Sequence, residues 1–117
     1  MLASAIMFET VTDWEKVDSN ADAIRKGMDE WATGWANQTA LQELRRHIAA
    51  IRDATGDTYI REKVASLSAW LDILFSPRKH LKYGGEQQVK QHARTDCYKI
   101  HTYATSRLRE RQENESK

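Results

Sequence analysis

The fold is decided by residues 57–75, which read DTYIREKVASLSAWLDILF. Apolar side chains recur three or four positions apart in this stretch, which is the repeat of an amphipathic α-helix. These side chains are Ile60, Val64, Leu67, Leu71 and Leu74. Asp57 precedes the first turn, where a carboxylate can accept hydrogen bonds from free backbone N–H groups, and Ser76-Pro77 follows the last turn. The sequence therefore predicts a helix over residues 57–75.

The same repeat continues upstream over residues 39–55 and residues 12–35. Thr39 and Thr12 each begin a Thr-x-x-Gln or Thr-x-x-Glu pattern, in which the threonine caps the helix N-terminus. The apolar positions are Leu41, Leu44, Ile48 and Ile51, and before them Trp14, Val17, Ala21, Ile24, Met28, Trp31 and Trp35. Ser19-Asn20 could start a new helix, so residues 12–35 form either one helix or two.

Glycine and proline divide the rest of the chain. Gly56 is suited to the left-handed residue that ends many helices. Pro77 can open a short helix over residues 78–83, and Gly84-Gly85 predicts a break after it. Beyond the break, small apolar residues recur at helical spacing as far as about Arg111. They are Val89, Ala93, Cys97, Ile100, Ala104 and Leu108.

These segments predict an all-α protein, an antiparallel bundle of about four main helices, because short connections place successive helices side by side. No stretch shows the apolar alternation of a strand. We expect one α-helical domain over residues 1–117, with residues 1–11 and 112–117 loosely ordered. A chain of 117 residues can bury a core without metals or disulfides.

The net charge of +1 conceals an uneven distribution. Residues 1–77 hold eight Lys/Arg against twelve Asp/Glu, a net charge of −4, whereas residues 78–111 hold nine against three, a net charge of +6. Such asymmetry is typical of a protein with a polyanionic partner, or of one that associates with itself through opposite faces. The alternative is an ordinary solvated helix surface.

The chain has one cysteine, Cys97, so no intramolecular disulfide can form. The apolar start, residues 1–8, lacks the basic flank and the length of a signal peptide or a membrane span. We therefore expect a cytoplasmic protein with no membrane contact.

The clearest candidate for contact with a partner is the run RKHLKYGG at residues 78–85. Lys and Arg neutralise phosphates, a tyrosine can stack on a base, and glycines let a ligand approach the backbone. The predicted anion- or nucleic-acid-binding residues are Arg78, Lys79, His80, Lys82, Tyr83, Arg107 and Arg111. The alternative is a solvated turn whose charges favour solubility.

Arg94 and His101 lie seven residues apart, two helical turns, so they share one face of the last predicted helix. Tyr103 follows His101 two positions later. This pattern resembles the HEPN superfamily, small α-helical nucleases and toxins with Arg-x4–6-His on a late helix, some of which continue His-x-Tyr. The resemblance implies metal-independent RNA cleavage in a cleft between two protomers. Arg94 would stabilise phosphate charge, His101 would act as acid or base, and Tyr103 would line the cleft.

No metal or cofactor site is expected. His92 and Asp96 are four apart, as are Cys97 and His101, but the two pairs lie on opposite sides of a helix and cannot share one ion.

Trp31 and Trp35 form the widest apolar surface of the chain. Such a surface is usually part of the core, but if exposed it could anchor a homodimer.

The sequence favours a small non-enzymatic binding or adaptor protein that contacts RNA or a ribonucleoprotein through its basic C-terminal region. Bacterial or phage accessory proteins of this kind are the fold-level analogy. The alternatives are an HEPN-like ribonuclease or toxin, and a protein-only inhibitor or immunity-type adaptor.

Overall fold

The computed structural model describes residues 12–30 and 38–115. Within these ranges the chain forms four long helices, one short helix and one 3-10 turn, and no strand. The helices are α1 (Trp14–Glu30), α2 (Gln38–Ala54), α3 (Thr58–Leu74), α4 (Pro77–His80) and α5 (Glu86–Glu115), with the 3-10 turn at Leu81–Tyr83. The predicted all-α class is confirmed.

The four long helices form a closed bundle in which α1 packs against α2 and α5, and α3 packs against the same two neighbours. Neighbouring helices run in opposite directions. The backbone N–H of Asp13 donates to the carbonyl oxygen of Ala54 at 3.0 Å, so α1 begins where α2 ends. Similarly, Tyr59 near the start of α3 stacks on Tyr103 in the second half of α5. The apolar faces of the four long helices therefore meet along the axis of the bundle.

The core consists of the apolar side chains on those faces. Ile24, Leu44, Ile48, Leu67 and Leu71 are all at most 3 % exposed. The apolar positions of α5 complete the core, because Ala93, Cys97, Ile100 and Ala104 are also buried. Burial of this kind, worth about 25 cal/mol per Å² of apolar surface, is the main force that holds the bundle together.

Helix starts follow the sequence only in part. The side chain of Asp57 accepts a hydrogen bond from the backbone N–H of Ile60 at 3.1 Å, which confirms this cap. At α1 the predicted cap was wrong: Asp13 accepts from the N–H of Lys16, while the Thr12 hydroxyl bonds to Thr55 instead. Thr39 lies inside the first turn of α2, since that helix begins at Gln38.

The interior of α1 is continuous. Ser19 and Asn20 both donate from their side chains to the carbonyl oxygen of Lys16, at 3.3 and 2.8 Å. Bonds of this type run back along the preceding turn and are compatible with a helix that continues. Residues 31–35 of the predicted helix lie outside the described residues.

The prediction that α5 ends near Arg111 was wrong by about one turn, since the helix continues to Glu115. No glycine or proline interrupts residues 112–115, and Gln and Glu are good helix formers. At 1.5 Å per residue α5 is about 45 Å long, against about 25 Å for each of the other three long helices. None of the described helices is long and apolar enough to cross a membrane.

The link between α3 and α5 has the predicted plan. Pro77 occupies the start of α4, where its missing N–H costs nothing. Gly84 and Gly85 have φ angles of 91° and 97°, the left-handed region that favours glycine. Gly56 does not adopt that region, so its predicted left-handed conformation was wrong.

Candidate nucleic-acid interface

The link between α3 and α5, which we call the basic turn (residues 78–83), projects from one end of the bundle. Arg78, Lys79 and Lys82 are exposed, and Leu81 and Tyr83 are 72 % and 46 % exposed. Because these side chains follow one another over two tight turns, positive charge and apolar surface are concentrated in a small area. His80 does not share that surface, since it is only 9 % exposed and packs inward. Its prediction as a contact residue does not fit its burial.

The basic turn is fixed to the bundle by hydrogen bonds. The N–H groups of Lys79 and His80 both donate to the carbonyl oxygen of Ser76, at 3.1 and 3.2 Å. The N–H of Gly85 donates to the carbonyl oxygen of His80 at 2.8 Å. Gly84 has a φ of 91°, which favours glycine, and a Cβ atom there would lie 3.0 Å from the Gln88 side chain, closer than an ordinary van der Waals contact. The exposed cations are therefore held on an ordered backbone.

A cluster of three aromatic rings, Trp70, Tyr83 and His92, lies beside the basic turn; we call it the aromatic cluster. Trp70 comes from α3 and His92 from α5, and their rings stack with centroids 4.3 Å apart and planes 10° apart. Tyr83 meets Trp70 at nearly a right angle, with centroids 5.4 Å apart. Both arrangements are favourable geometries for aromatic pairs.

Trp70 and His92 are functional candidates that the sequence reasoning missed. Trp70 is not among the five apolar positions that predict the helix over residues 57–75, and His92 was considered only as a metal ligand. Their separation of 22 positions gives no local spacing that would connect them. Only the packing of α3 against α5 brings the two rings together.

Arg107 and Arg111 lie far from the basic turn. Arg107 follows the start of α5 by 21 residues, which corresponds to about 31 Å along the helix axis. Its guanidinium donates to the Tyr103 hydroxyl at 2.9 Å and to Glu110 at 3.2 Å. The hydrogen bond with Tyr103 is the main reason why the pKa of Arg107 is raised. The predicted binding residues therefore fall into two groups, at opposite ends of the bundle.

Arg94 and His101 both face α1. Arg94 donates from Nε and Nη2 to Oδ1 of Asp29, at 3.1 and 2.8 Å, and His101 is paired through Nδ1 with Asp18. These contacts link two turns of α5 to two turns of α1. Each residue thus has a carboxylate partner on the neighbouring helix.

Tyr103 belongs to a different cluster. Its ring stacks on Tyr59 with a centroid distance of 4.6 Å and lies 5.6 Å from Trp14. Its hydroxyl donates to Asp57 at 3.2 Å. Residues two positions apart on an α-helix are rotated by about 200° about its axis, so Tyr103 and His101 point to different sides of α5.

A shallow cavity of about 180 Å³ opens between α1 and α5 beside His101, lined by Ala21, Asp22, Arg25, Cys97 and Tyr98. Hydrogen bonds from Arg25 and Lys26 lower the pKa of Asp22. Burial raises the pKa of Cys97 to about 12, so its thiol stays protonated at neutral pH and is a poor nucleophile. Among the residues that the structure describes, no three His, Cys, Asp or Glu side chains are grouped to hold a metal ion.

Trp31 and Trp35, the predicted dimer anchors, lie outside the described residues.

Comparison with known proteins adds no further assignment: no family model matches the chain, and neither curated proteins nor solved structures give a significant match. Function is therefore inferred from the geometry of the residues themselves.

Proposed function

We propose that this protein is a non-enzymatic binding module that contacts RNA, free or within a ribonucleoprotein, through the basic turn. The observation that carries the proposal is the grouping of Arg78, Lys79 and Lys82, all exposed, on one ordered turn. No acidic residue interrupts residues 77–85. Phosphate groups are the partner that such a group of cations binds best, and each phosphate neutralised releases counterions from the nucleic acid.

The order of the turn favours binding. A flexible loop loses conformational entropy when it closes on a partner, and that loss weakens the complex. Here the hydrogen bonds at Ser76 and His80 and the packing of Tyr83 on Trp70 already fix the backbone and one side chain. The turn therefore loses little conformational entropy when a partner binds, and the complex is weakened less by that loss.

The positions of Arg94 and His101 support a binding module more than a ribonuclease. A general acid or base must reach the substrate, and a phosphate-stabilising guanidinium must be open to it. Both side chains are paired with aspartates of α1, Asp29 and Asp18, although they are 39 % and 52 % exposed, so a role in contact between helices accounts for their positions without a substrate. Those pairs explain the Arg-x6-His spacing as a contact between helices.

A cytoplasmic location belongs to the same proposal, because a single reduced cysteine is typical of that compartment. A homodimer through Trp31 and Trp35 remains a prediction from the sequence. A protein-only adaptor is the outcome expected if no nucleic acid binds.

The test measures RNA affinity at several salt concentrations. Purified protein should carry nucleic acid at low salt and lose it at high salt, as read from the ratio of absorbance at 260 and 280 nm. Neutralising Arg78, Lys79 and Lys82 to Gln should weaken binding and reduce the slope of log affinity against log salt by up to about 3.

The matched control removes three other exposed positive charges, Lys16, Arg46 and Arg52, which lie on α1 and α2. It changes the net charge equally but leaves the basic turn intact. We expect the control to retain most of the affinity and of the salt slope. Equal losses in the two triple variants, or no binding by the wild type, would contradict the proposal.

A further inference from the structure

We infer that the aromatic cluster of Trp70, Tyr83 and His92 is a stacking site for the unpaired bases of a single nucleic-acid strand. This inference rests on the proposed function and specifies its ligand, since phosphate contacts alone would not distinguish a single strand from a duplex. The base-stacking residues would be His92 and Tyr83, with Trp70 positioning both rings from below.

The geometry of the Trp70–His92 pair leads to this inference. The two rings are almost parallel, and Trp70 covers one face of the imidazole. His92 is nevertheless an exposed residue, which is consistent with access to the face of its ring opposite Trp70. A flat ring laid on that face would continue the stack with the same orientation, and every nucleobase presents such a flat π face.

Tyr83 supplies the second surface. It is 46 % exposed although its ring contacts Trp70, so part of the ring remains available. Tyr83 stands nearly perpendicular to the stack, at 87° to Trp70, and it ends the basic turn. A base on Tyr83 would therefore be followed by a backbone that passes the cations of the turn.

The combination selects single strands. In a duplex the bases are already stacked and paired, and their faces cannot reach a side chain. In a single strand the faces are free and the phosphates remain available to Lys79 and Lys82, which are both exposed. Recognition through faces rather than edges gives little preference for base sequence.

The experiment titrates fluorescein-labelled RNA strands of about 15 uridines, and the corresponding RNA duplex, with wild-type and variant protein. The wild type should bind the single strand more tightly than the duplex. His92→Ala and Tyr83→Ala should each weaken single-strand binding by about 10-fold with the salt slope unchanged, since neither change removes a lysine or arginine. His92→Phe and Tyr83→Phe should retain the affinity, because both keep an aromatic ring.

Tyr98→Ala is the matched control. Tyr98 is 67 % exposed on α5 but lies beside the cavity between α1 and α5, away from the aromatic cluster. It should bind RNA as the wild type does. A single DNA strand of the same length should also bind, and its failure to bind would show that ribose contacts rather than stacking hold the strand.

Two further results would overturn the inference, and they can be distinguished from each other. If His92→Ala and Tyr83→Ala bind as tightly as the wild type while the Arg78, Lys79 and Lys82 variant does not, the proposed function stands and the stacking site is wrong. If the wild type binds neither strand nor duplex, both are wrong. A circular dichroism melt of each variant confirms that it remains folded.

Discussion

Cys97 is a residue whose environment should be visible in the pH dependence of stability. Burial raises its pKa from 9.0 to about 12. Between these values the unfolded thiol has lost its proton while the folded thiol retains it, so the unfolded state binds fewer protons and stability falls as pH rises. The Tm of the wild type should fall more steeply between about pH 9 and pH 11 than that of Cys97→Ala. Parallel curves would show that the thiol is accessible to water.

Arg94 and His101 allow a second residue-scale prediction. Arg94→Ala removes a partly exposed ion pair between α5 and α1, and His101→Ala removes a partly exposed hydrogen bond between the same helices. Each change should lower the free energy of unfolding by about 0.2–1 kcal/mol. Asp29→Ala and the double variant complete a mutant cycle for Arg94, which isolates the pair from other effects of each change.

The same two variants test the HEPN resemblance. We expect no cleavage of single-stranded RNA by the wild type and at most a modest loss of RNA affinity in Arg94→Ala. A ribonuclease would behave differently: the wild type would cleave RNA, and His101→Ala would lose about 10²-fold or more of that activity while remaining folded. That result would replace the binding module with an enzyme.

At the scale of elements, the assignment of the core can be tested by comparing a leucine of α3 with a leucine of the 3-10 turn. Leu71 of α3 is 1 % exposed and Leu81 of the 3-10 turn is 72 % exposed. Leu71→Ala should cost about 2–5 kcal/mol through lost burial and a cavity, whereas Leu81→Ala should cost less than about 0.5 kcal/mol. Urea denaturation gives both values. Similar costs for the two variants would mean that the stripe of α3 does not face the core.

The sequence predicted the helices because burial acts through a local repeat. The apolar face of α3 can face the core in only one orientation. Asp57 and Pro77 mark the two ends of the helix through local effects, a side-chain cap and a missing backbone N–H, which involve residues no more than four positions away. The start of α1 was predicted incorrectly, since Thr12 and Asp13 both have side chains able to cap a helix and Asp13 is the residue that does so. Thr55, 43 residues away from Thr12, decides between them by binding the threonine hydroxyl.

The candidate site was predicted in part for the same reason. Arg78, Lys79, Lys82 and Tyr83 are neighbours in sequence, so their grouping on one turn needed no tertiary information. The aromatic cluster joins residues from α3 and α5, and the partners of Arg94 and His101 come from α1. No spacing within one helix reveals contacts between helices.

At the scale of the whole molecule, the length of α5 separates the basic turn from Arg107 and Arg111. The separation of about 31 Å exceeds the Debye length of about 8 Å at physiological salt. Positive charge at the far end is therefore screened from a short ligand held at the basic turn. Arg107 is also engaged by Tyr103 and Glu110 within the protein.

We predict that neutralising Arg107 and Arg111 to Gln leaves the affinity and salt slope for a tetranucleotide unchanged. Neutralising Arg78, Lys79 and Lys82 should reduce both, because in the proposed complex these side chains contact the phosphates of the short strand. A strand of about 15 nucleotides is long enough to reach along α5, so there the far-end variant should lose a modest part of the salt slope. Fluorescence anisotropy measures the affinity of each of the two variants for each of the two strand lengths. If the far-end variant weakens tetranucleotide binding as much as the basic-turn variant does, the strand does not bind at the basic turn alone. The interface would then have to include the C-terminal half of α5.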